Sequence, residues 1–338
     1  MRLWLTVVGL LAFAVVGFAV IWWFFAISLG ERQLANVQKQ MAKQGYDLRY
    51  EELEQSGFPL QLEWNIHGVA FTQTKGAGQR QPLQGVADLL RVQARPWAPQ
   101  RLNFLVEGQH RWRTDTGGEA GVVVTTIAAA SGAIHPRDTE AGWQLVIALA
   151  DVAAKSEALN AAPLTIARLD ATGQVPFAMN ALELQVDLAD VTLPQDTGLG
   201  TALQSASLRA GVQPIPTSFD ASGARAWQAG GGLLTVHDLQ VQFGALQGTA
   251  EGVVGLDKAL RGEGKVTLRM REPARLVASA IKAGWIQAKQ QSLLTMGLGL
   301  FSARGATGKA EVALPFDLRN GGLWLGPLRL ADLPPVAQ

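Results

Sequence analysis

Apolar and polar residues alternate along most of the chain that follows residue 45. The alternation is clearest in the segments GFPLQLEWNIHGVAFTQ (57–73), QRLNFLVEGQHRW (100–112) and LELQVDL (182–188). A period of two places successive side chains on opposite faces of a β-strand. These segments therefore predict strands with one polar face and one apolar face, and the fold class is mainly β.

The segment Gly231–Asp257 predicts three strands and a change of face. Leu234 and Val236 share one parity of the alternation, whereas Leu239 and Val241 share the other, so a bulge or a tight bend near His237–Asp238 must restore the register. A turn is expected at Gly244-Ala245. Near the end of the chain, Asn320-Gly321-Gly322 lies between two apolar runs and predicts a hairpin.

A long apolar segment opens the chain. Residues 3–27 include no charged residue and would span about 37 Å as a helix, enough to cross a ~30 Å hydrocarbon core. Tryptophans lie at both ends, as in the aromatic belts of spanning helices, and Arg2 favours a cytoplasmic N-terminus. The alternative is a cleaved signal peptide with its cleavage site at Ala26–Ser28, but the apolar run is longer than is typical of such peptides.

The remaining pattern completes the expected domain organisation. Residues 1–29 form the anchor, 30–45 a linking helix and 46–338 one periplasmic β-rich domain. A second helix is expected from Pro273 to about Gly297, where it would cover a sheet face, and residues 213–232 are expected to form a loop. The expected architecture is an extended, curled antiparallel sheet, groove-like or open and barrel-like, with a transmembrane helix and one or two packing helices.

Composition and motifs argue against catalysis and against a nucleic-acid partner. The 338 residues carry a net charge of +1 with no cysteine, so neither a basic surface for nucleic acid nor a thiolate chemistry is expected. No two of the four histidines share a metal-ligand spacing, and no nucleophile elbow or phosphate loop occurs. We therefore expect no catalytic residue, no metal and no cofactor, and treat an envelope enzyme with a dispersed site as the least favoured reading.

An amphipathic sheet has to cover its apolar face. About 16 strands at ~4.8 Å would make a sheet of roughly 77 Å, which favours a twisted and curled sheet over a flat one. A curled groove anchored to a membrane could hold acyl chains, whereas a closed core would suit a structural or adaptor domain that acts by protein contacts. The residues expected to line the groove are the apolar-face residues Trp64, Phe104, Leu184, Val186, Val241, Phe243 and Leu325.

Several segments resemble an uncharacterised family of Gram-negative envelope proteins that is anchored in the inner membrane. These segments are GFPLQLEWNIHGV (57–69), PWAP (96–99), GGLLTVHDLQVQFGALQGTAEGVVGLD (231–257) and NGGLWLGPLRLADLPP (320–335). The strand-and-glycine-turn pattern is more distantly similar to the AsmA and TamB group, which implies a lipid-accommodating β-groove and a role in outer-membrane lipid traffic. This chain is shorter and has no long repeat array. The resemblance implies an inner-membrane protein with one span and a periplasmic bulk, with phospholipid or another acyl-chain lipid and envelope proteins as partners.

Overall fold

The computed structural model describes most of the chain after residue 33. The described residues are 22–23, 27–28, 30, 32, 34–43, 45–73, 83–115, 121–137, 142–176, 180–196, 199–216, 221–244, 246–271, 302–304 and 310–336. The helical residues among 22–43 form α1, which is helical at 22–23, 27–28, 30, 32 and 34–43. Seventeen strands and one further helix follow within these residues. The mainly β class is therefore confirmed.

The chain divides into two compact units. Unit 1 comprises Met1–Pro136 and Leu149–Asn160, and unit 2 comprises Arg137–Ala148 and Ala161–Gln338. The strands of unit 1 are β1 (Tyr46–Arg49), β2 (Glu52–Ser56), β3 (Leu62–Gln73), β4 (Gln84–Arg95), β5 (Ala98–Asp115) and β6 (Val122–Pro136). Strand β7 (Gly142–Ser156) contributes residues to both units.

Unit 1 is an antiparallel sheet in which β1 and β2 both pair with β3, and β3, β4, β5 and β6 follow in order. The register places Leu62 opposite Ala94 and Trp64 opposite Val92, so these apolar side chains share one face. From β2 to β6 the order of neighbours follows the order of the chain, as is common for consecutive strands.

Helix α1 covers part of that face. Trp23 and Ile27 pack with Leu62, Trp64 and Ala94 in one buried cluster, and Leu62 has no exposed surface. A Cβ on Gly30 would lie 2.3 Å from Cζ2 of Trp64, so the absence of a side chain at Gly30 allows the helix to approach the sheet this closely. Burying a side chain such as that of Leu62 contributes about 1.5–3 kcal/mol.

Unit 2 continues with a longer run of antiparallel strands. They are β8 (Leu164–Pro176), β9 (Leu182–Thr192), β10 (Ala202–Gln213), β11 (Leu233–Phe243), β12 (Leu246–Leu256), β13 (Gly262–Arg271), β14 (Ser302–Arg304), β15 (Ala310–Arg319), β16 (Gly322–Leu325) and β17 (Leu328–Asp332). Each strand from β8 to β13 pairs with the next, β13 then pairs with β15, and β15, β16 and β17 follow in order. Strand β14 also pairs with β15.

The expected bulge and hairpin are both present. The pairing of β11 with β12 shifts register between Val236 and Leu239, where the alternation changes parity. The bulge does not end the strand, so the three strands expected over 231–257 are the two strands β11 and β12. Asn320 and Gly321, with φ of 52° and 65°, make the turn that pairs Arg319 with Gly322.

The loop expected over residues 213–232 is wrong, because this segment contains the helix α2 (Ala221–Ala229). The alanines within ASGARAWQA favour a helix, although the surrounding proline and glycines obscured this signal. The indole of Trp227 donates a 2.7 Å hydrogen bond to the carbonyl of Pro214, which ties the helix to the end of β10.

Two expected helices lie largely or wholly outside the described residues. No helix within the described part of the chain is long and apolar enough to span a membrane. The apolar segment 3–27 is described only at Trp22, Trp23 and Ile27, so the anchor stays a prediction. The helix expected over 273–297 lies outside the described residues altogether.

Candidate functional site

The cross-strand register of unit 2 gathers apolar residues from six strands onto one face. Three rows of directly paired residues cross β9, β10, β11, β12, β13 and β15. They are Leu188–Ala206–Val241–Gly248–Met270–Val312, Val186–Leu208–Leu239–Ala250–Leu268–Leu314 and Leu184–Ala210–Val236–Gly252–Val266–Phe316. We call these eighteen residues the apolar face of unit 2. No charged or amide side chain occurs in any of the three rows.

Burial changes along the apolar face. At the β13–β15 end, Met270, Val312 and Leu314 are buried in one cluster. At the β9–β11 end, Leu184, Leu208 and Val241 are half-buried, although the small Ala210 beside Leu184 is buried. The β13–β15 end therefore includes a buried cluster, whereas most of the large residues at the β9–β11 end retain accessible apolar surface, as binding surfaces for hydrophobic ligands do.

Five of the seven groove residues expected from sequence lie together in unit 2. Leu184, Val186 and Val241 belong to the apolar face, and Phe243 shares its parity because it follows Val241 by two residues in β11. Leu325 pairs with Phe316 and packs against the buried cluster at the β13–β15 end. The alternation therefore placed these residues on one face. It did not identify Leu208 or Leu239, which lie at the centre of that face.

The other two expected residues belong to unit 1. Trp64 and Phe104 both pair with Val92, from opposite sides of β4, and so share one face of that sheet. Trp64 is 9% exposed and packs within the cluster that α1 covers, whereas Phe104 is half-buried. The ring of Trp64 is thus held by the protein's own helix, a contact that strand parity alone does not reveal.

The opposite face of unit 2 is polar and internally neutralised. Arg209 and Asp238 are register partners with an ion pair of 3.3 Å, and Arg269 pairs with Glu251 at 2.7 Å. Hydrogen bonds from Ser207 and then from Gln185 lower the pKa of Asp187, and burial opposes them. Because charges of both signs are paired across strands, this face offers no field of one sign to a charged macromolecule.

Open depressions lie on the polar face, and two of them exceed 500 Å³. One of about 530 Å³ is lined by residues that include Glu183, Gly211 and His237, and the other, of about 510 Å³, by residues that include Glu251 and Lys265. His237 and Glu183 approach to 3.4 Å, but both side chains are about half exposed. An exposed pair of this kind is an ordinary surface ion pair, and it does not by itself define an acid–base site.

Unit 1 has a polar network centred on Glu63. Its carboxylate accepts hydrogen bonds from Gln93 at 2.8 Å, Asn65 at 3.1 Å and Ser56 at 3.0 Å, and Arg91 lies 3.8 Å away. Burial raises the pKa of Glu63, but the hydrogen bonds and the positive charge of Arg91 outweigh it, so the net pKa is lowered. The network satisfies the carboxylate within the sheet, and its role is structural.

The histidines are placed separately. Nε2 of the buried His110 is 3.0 Å from the carbonyl of Val106, His67 and His237 each face a glutamate, and Nδ1 of His135 is 3.1 Å from the carbonyl of Pro136. Among the residues that the structure describes, no three His, Asp or Glu side chains are grouped to hold a metal ion.

The fold and the apolar faces identify the class of protein. The molecule is a mainly β protein in which the antiparallel strands of each of two units present an apolar face. The chain belongs to the family described as "Uncharacterized protein conserved in bacteria (DUF2125)", whose model matches residues 23–334. No curated protein and no solved structure matches the chain. The expected membership of an uncharacterised family is thereby confirmed.

Proposed function

We propose that this chain is a membrane-anchored envelope protein whose apolar face in unit 2 binds lipid or another hydrophobic component of the envelope. In this proposal residues 3–21 cross the inner membrane from a cytoplasmic N-terminus, and the units occupy the periplasm. The observation that carries it is the half-buried row Leu188–Ala206–Val241–Gly248, which is apolar across four strands. The resemblance to the AsmA and TamB group supports the same role in envelope lipid traffic.

The chemistry of the face suits acyl chains. A half-buried apolar strip gains roughly 25 cal/mol for each Å² that a hydrophobic ligand covers. The rows contain small residues, Ala206, Gly248 and Ala250, between larger ones such as Leu208 and Leu239. No charged side chain of these rows has to be neutralised when an alkyl chain covers them.

A second function is favoured by a specific observation at the other end of the face. Met270, Val312 and Leu314 are buried by the protein itself. If the predicted helix over 273–297 closes the whole face in this way, the domain is a tethered adaptor that acts through protein contacts.

Lipid analysis of paired variants separates the two functions. The full chain is purified in detergent and examined by native mass spectrometry and lipid extraction, with Val241→Asp compared with its strand neighbour Gln240→Asp. The two changes introduce the same charge on opposite faces of β11. We expect co-purifying lipid to fall at least about tenfold in Val241→Asp only, because a carboxylate is costly against an acyl chain. Lipid associated with the anchor is common to both variants and cancels in the comparison.

A neutral variant keeps the test decisive if Val241→Asp does not fold. Ala206 lies between Leu188 and Val241 on the apolar face, so Ala206→Phe fills the space above the sheet without adding charge. On an open face it should displace lipid and leave the melting temperature unchanged. In a closed core it should destabilise the protein by about 1–3 kcal/mol through overpacking. Destabilisation, together with no bound lipid in the wild type, would establish the adaptor instead.

A further inference from the structure

The turns beside α1 carry large apolar side chains that the protein does not cover. Phe58 is 50% exposed, Leu60 69% and Trp97 63%. Phe58 and Leu60 belong to the turn between β2 and β3, and Trp97 belongs to the turn between β4 and β5. Soluble proteins rarely group several such side chains at one place on their surface without a binding role. We call these three residues the collar.

Both turns are fastened to the same turn of α1. The indole of Trp22 donates a 2.8 Å hydrogen bond to the carbonyl of Pro96, and the indole of Trp23 donates one of 2.8 Å to the carbonyl of Gln61. Trp23 also meets the ring of Phe58 edge-on at 5.4 Å. The collar therefore lies beside Trp22 and Trp23, and its position relative to the helix is determined by these contacts.

The packing of α1 also shows which described residues of the apolar N-terminal segment lie against the protein. Trp23 and Ile27 are buried in unit 1 at 8% and 4% exposure. In the proposed anchor, the uncharged residues that remain for lipid are 3–21, and as a helix they would span about 28 Å, close to the ~30 Å hydrocarbon core. Trp22, Trp23 and the collar then fall at the depth where interfacial aromatic residues are found.

From this placement we infer that the collar docks on the lipid surface, so that unit 1 is seated directly on the membrane and is not held away from it by a stalk. This inference rests on the membrane anchor of the proposed function, but not on lipid binding by unit 2. The surface that the collar contacts is the outer leaflet of the inner membrane, because the segment preceding the collar is apolar and long enough to cross one bilayer.

The absence of cysteine makes this directly testable. A single cysteine at Leu60 or Trp97 can carry an environment-sensitive fluorophore at one position in the full chain. Leu159, 42% exposed in the same unit, provides the control. Leu159 lies two residues after Glu157, which forms an ion pair with Arg113 in β5. Arg113 lies about 50 Å from Ala98 along that strand, and Ala98 is next to Trp97, so the control position is distant from the collar. Replacing such exposed residues is expected to change stability by less than about 0.5 kcal/mol.

The labelled chains are reconstituted in vesicles of phosphatidylethanolamine and phosphatidylglycerol. We expect blue-shifted emission at positions 60 and 97, quenching by lipids with a nitroxide near the headgroup, and protection from aqueous iodide. The label at 159 should show the opposite behaviour. Iodide quenching at all three positions would overturn the inference, and so would protection from both quenchers, which would indicate that a protein or a second copy covers the collar.

A separate measurement distinguishes failure of the collar from failure of the anchor. Alkaline carbonate extraction of the same vesicles reports whether the chain is integrated in the bilayer. A chain that resists extraction but exposes positions 60 and 97 to iodide has an anchor without a docked collar. If carbonate releases the chain, both the membrane anchor and the docking of the collar are contradicted.

Discussion

Unit 1 and unit 2 have the same alternating pattern but treat their apolar faces differently. In unit 1, α1 buries the face through Trp23 and Ile27, and Leu62 becomes completely inaccessible. In unit 2, residues with the same alternation, such as Leu184 and Val241, are only half-buried. A period of two therefore builds either a core or an accessible surface, and in unit 1 the core forms because a helix lies on the face.

The largest expected effect compares one leucine from each unit. Leu62→Ala removes a fully buried side chain and should lower the free energy of unfolding by about 2–5 kcal/mol. Leu184→Ala removes a half-buried side chain and should cost about 1 kcal/mol, since less surface is lost from the interior. Urea unfolding followed by circular dichroism measures both. Equal losses would show that unit 2 buries its face as completely as unit 1 does.

An intermediate effect is expected where α1 meets the sheet. Gly30→Ala should destabilise the protein by about 1–3 kcal/mol, because the new methyl group would overlap the buried ring of Trp64. Helix propensity alone predicts the opposite sign, a gain of about 0.5–1 kcal/mol. Thermal unfolding distinguishes the two, with the exposed change Asn36→Ala in the same helix as the control. A stabilised Gly30→Ala protein would mean that α1 does not lie against Trp64.

The smallest effect concerns acid stability. The pKa of Glu63 is lower in the folded protein than in the unfolded chain, so its contribution is present above about pH 4.5 and is lost as the pH falls through the folded pKa. Glu63→Gln should therefore reduce stability at pH 7 by less than about 1 kcal/mol and flatten the loss of stability below pH 4.5. Urea midpoints measured from pH 7 to pH 3 test this.

Unit 2 offers the matched acid-stability variant. Burial raises the pKa of Asp257, but backbone and side-chain hydrogen bonds from Arg261 and the backbone N–H of Ala259 lower it overall. Asp257→Asn should therefore change the acid profile in the same direction as Glu63→Gln. A steeper acid loss in either variant would contradict the assigned direction of that shift.

Local pattern was sufficient for the strands and for several of their irregularities. The change of parity between Val236 and Leu239 predicted the bulge in β11, because a side chain can return to its face only if one residue is added to the strand. Asn320 and Gly321 predicted the hairpin because both tolerate positive φ. Helix α2 was missed because nine residues carry too little periodicity to outweigh the proline and glycines around them.

For the candidate sites too, local pattern predicted some features, whereas others depend on distant parts of the chain. Alternation identified Leu184, Val186 and Val241 as residues of one face, because parity is a local property of the strand. It could not distinguish them from Trp64, whose ring is covered by a helix from a distant part of the chain. The collar was also missed, because the alternation assigned Phe58 and Leu60 to a strand, whereas they lie in the turn before β3, and Trp97 lies in another turn.

The sequence by itself determined that the chain makes amphipathic strands, which residues share each face, and that the N-terminal segment is apolar enough to cross a bilayer. These are properties of neighbouring residues, and the backbone geometry of a strand or helix fixes them. Only the tertiary structure decided which apolar faces are covered, because burial depends on elements brought together from distant positions. That is why α1 encloses Trp64, while Val241, on an equally apolar strand, keeps accessible surface.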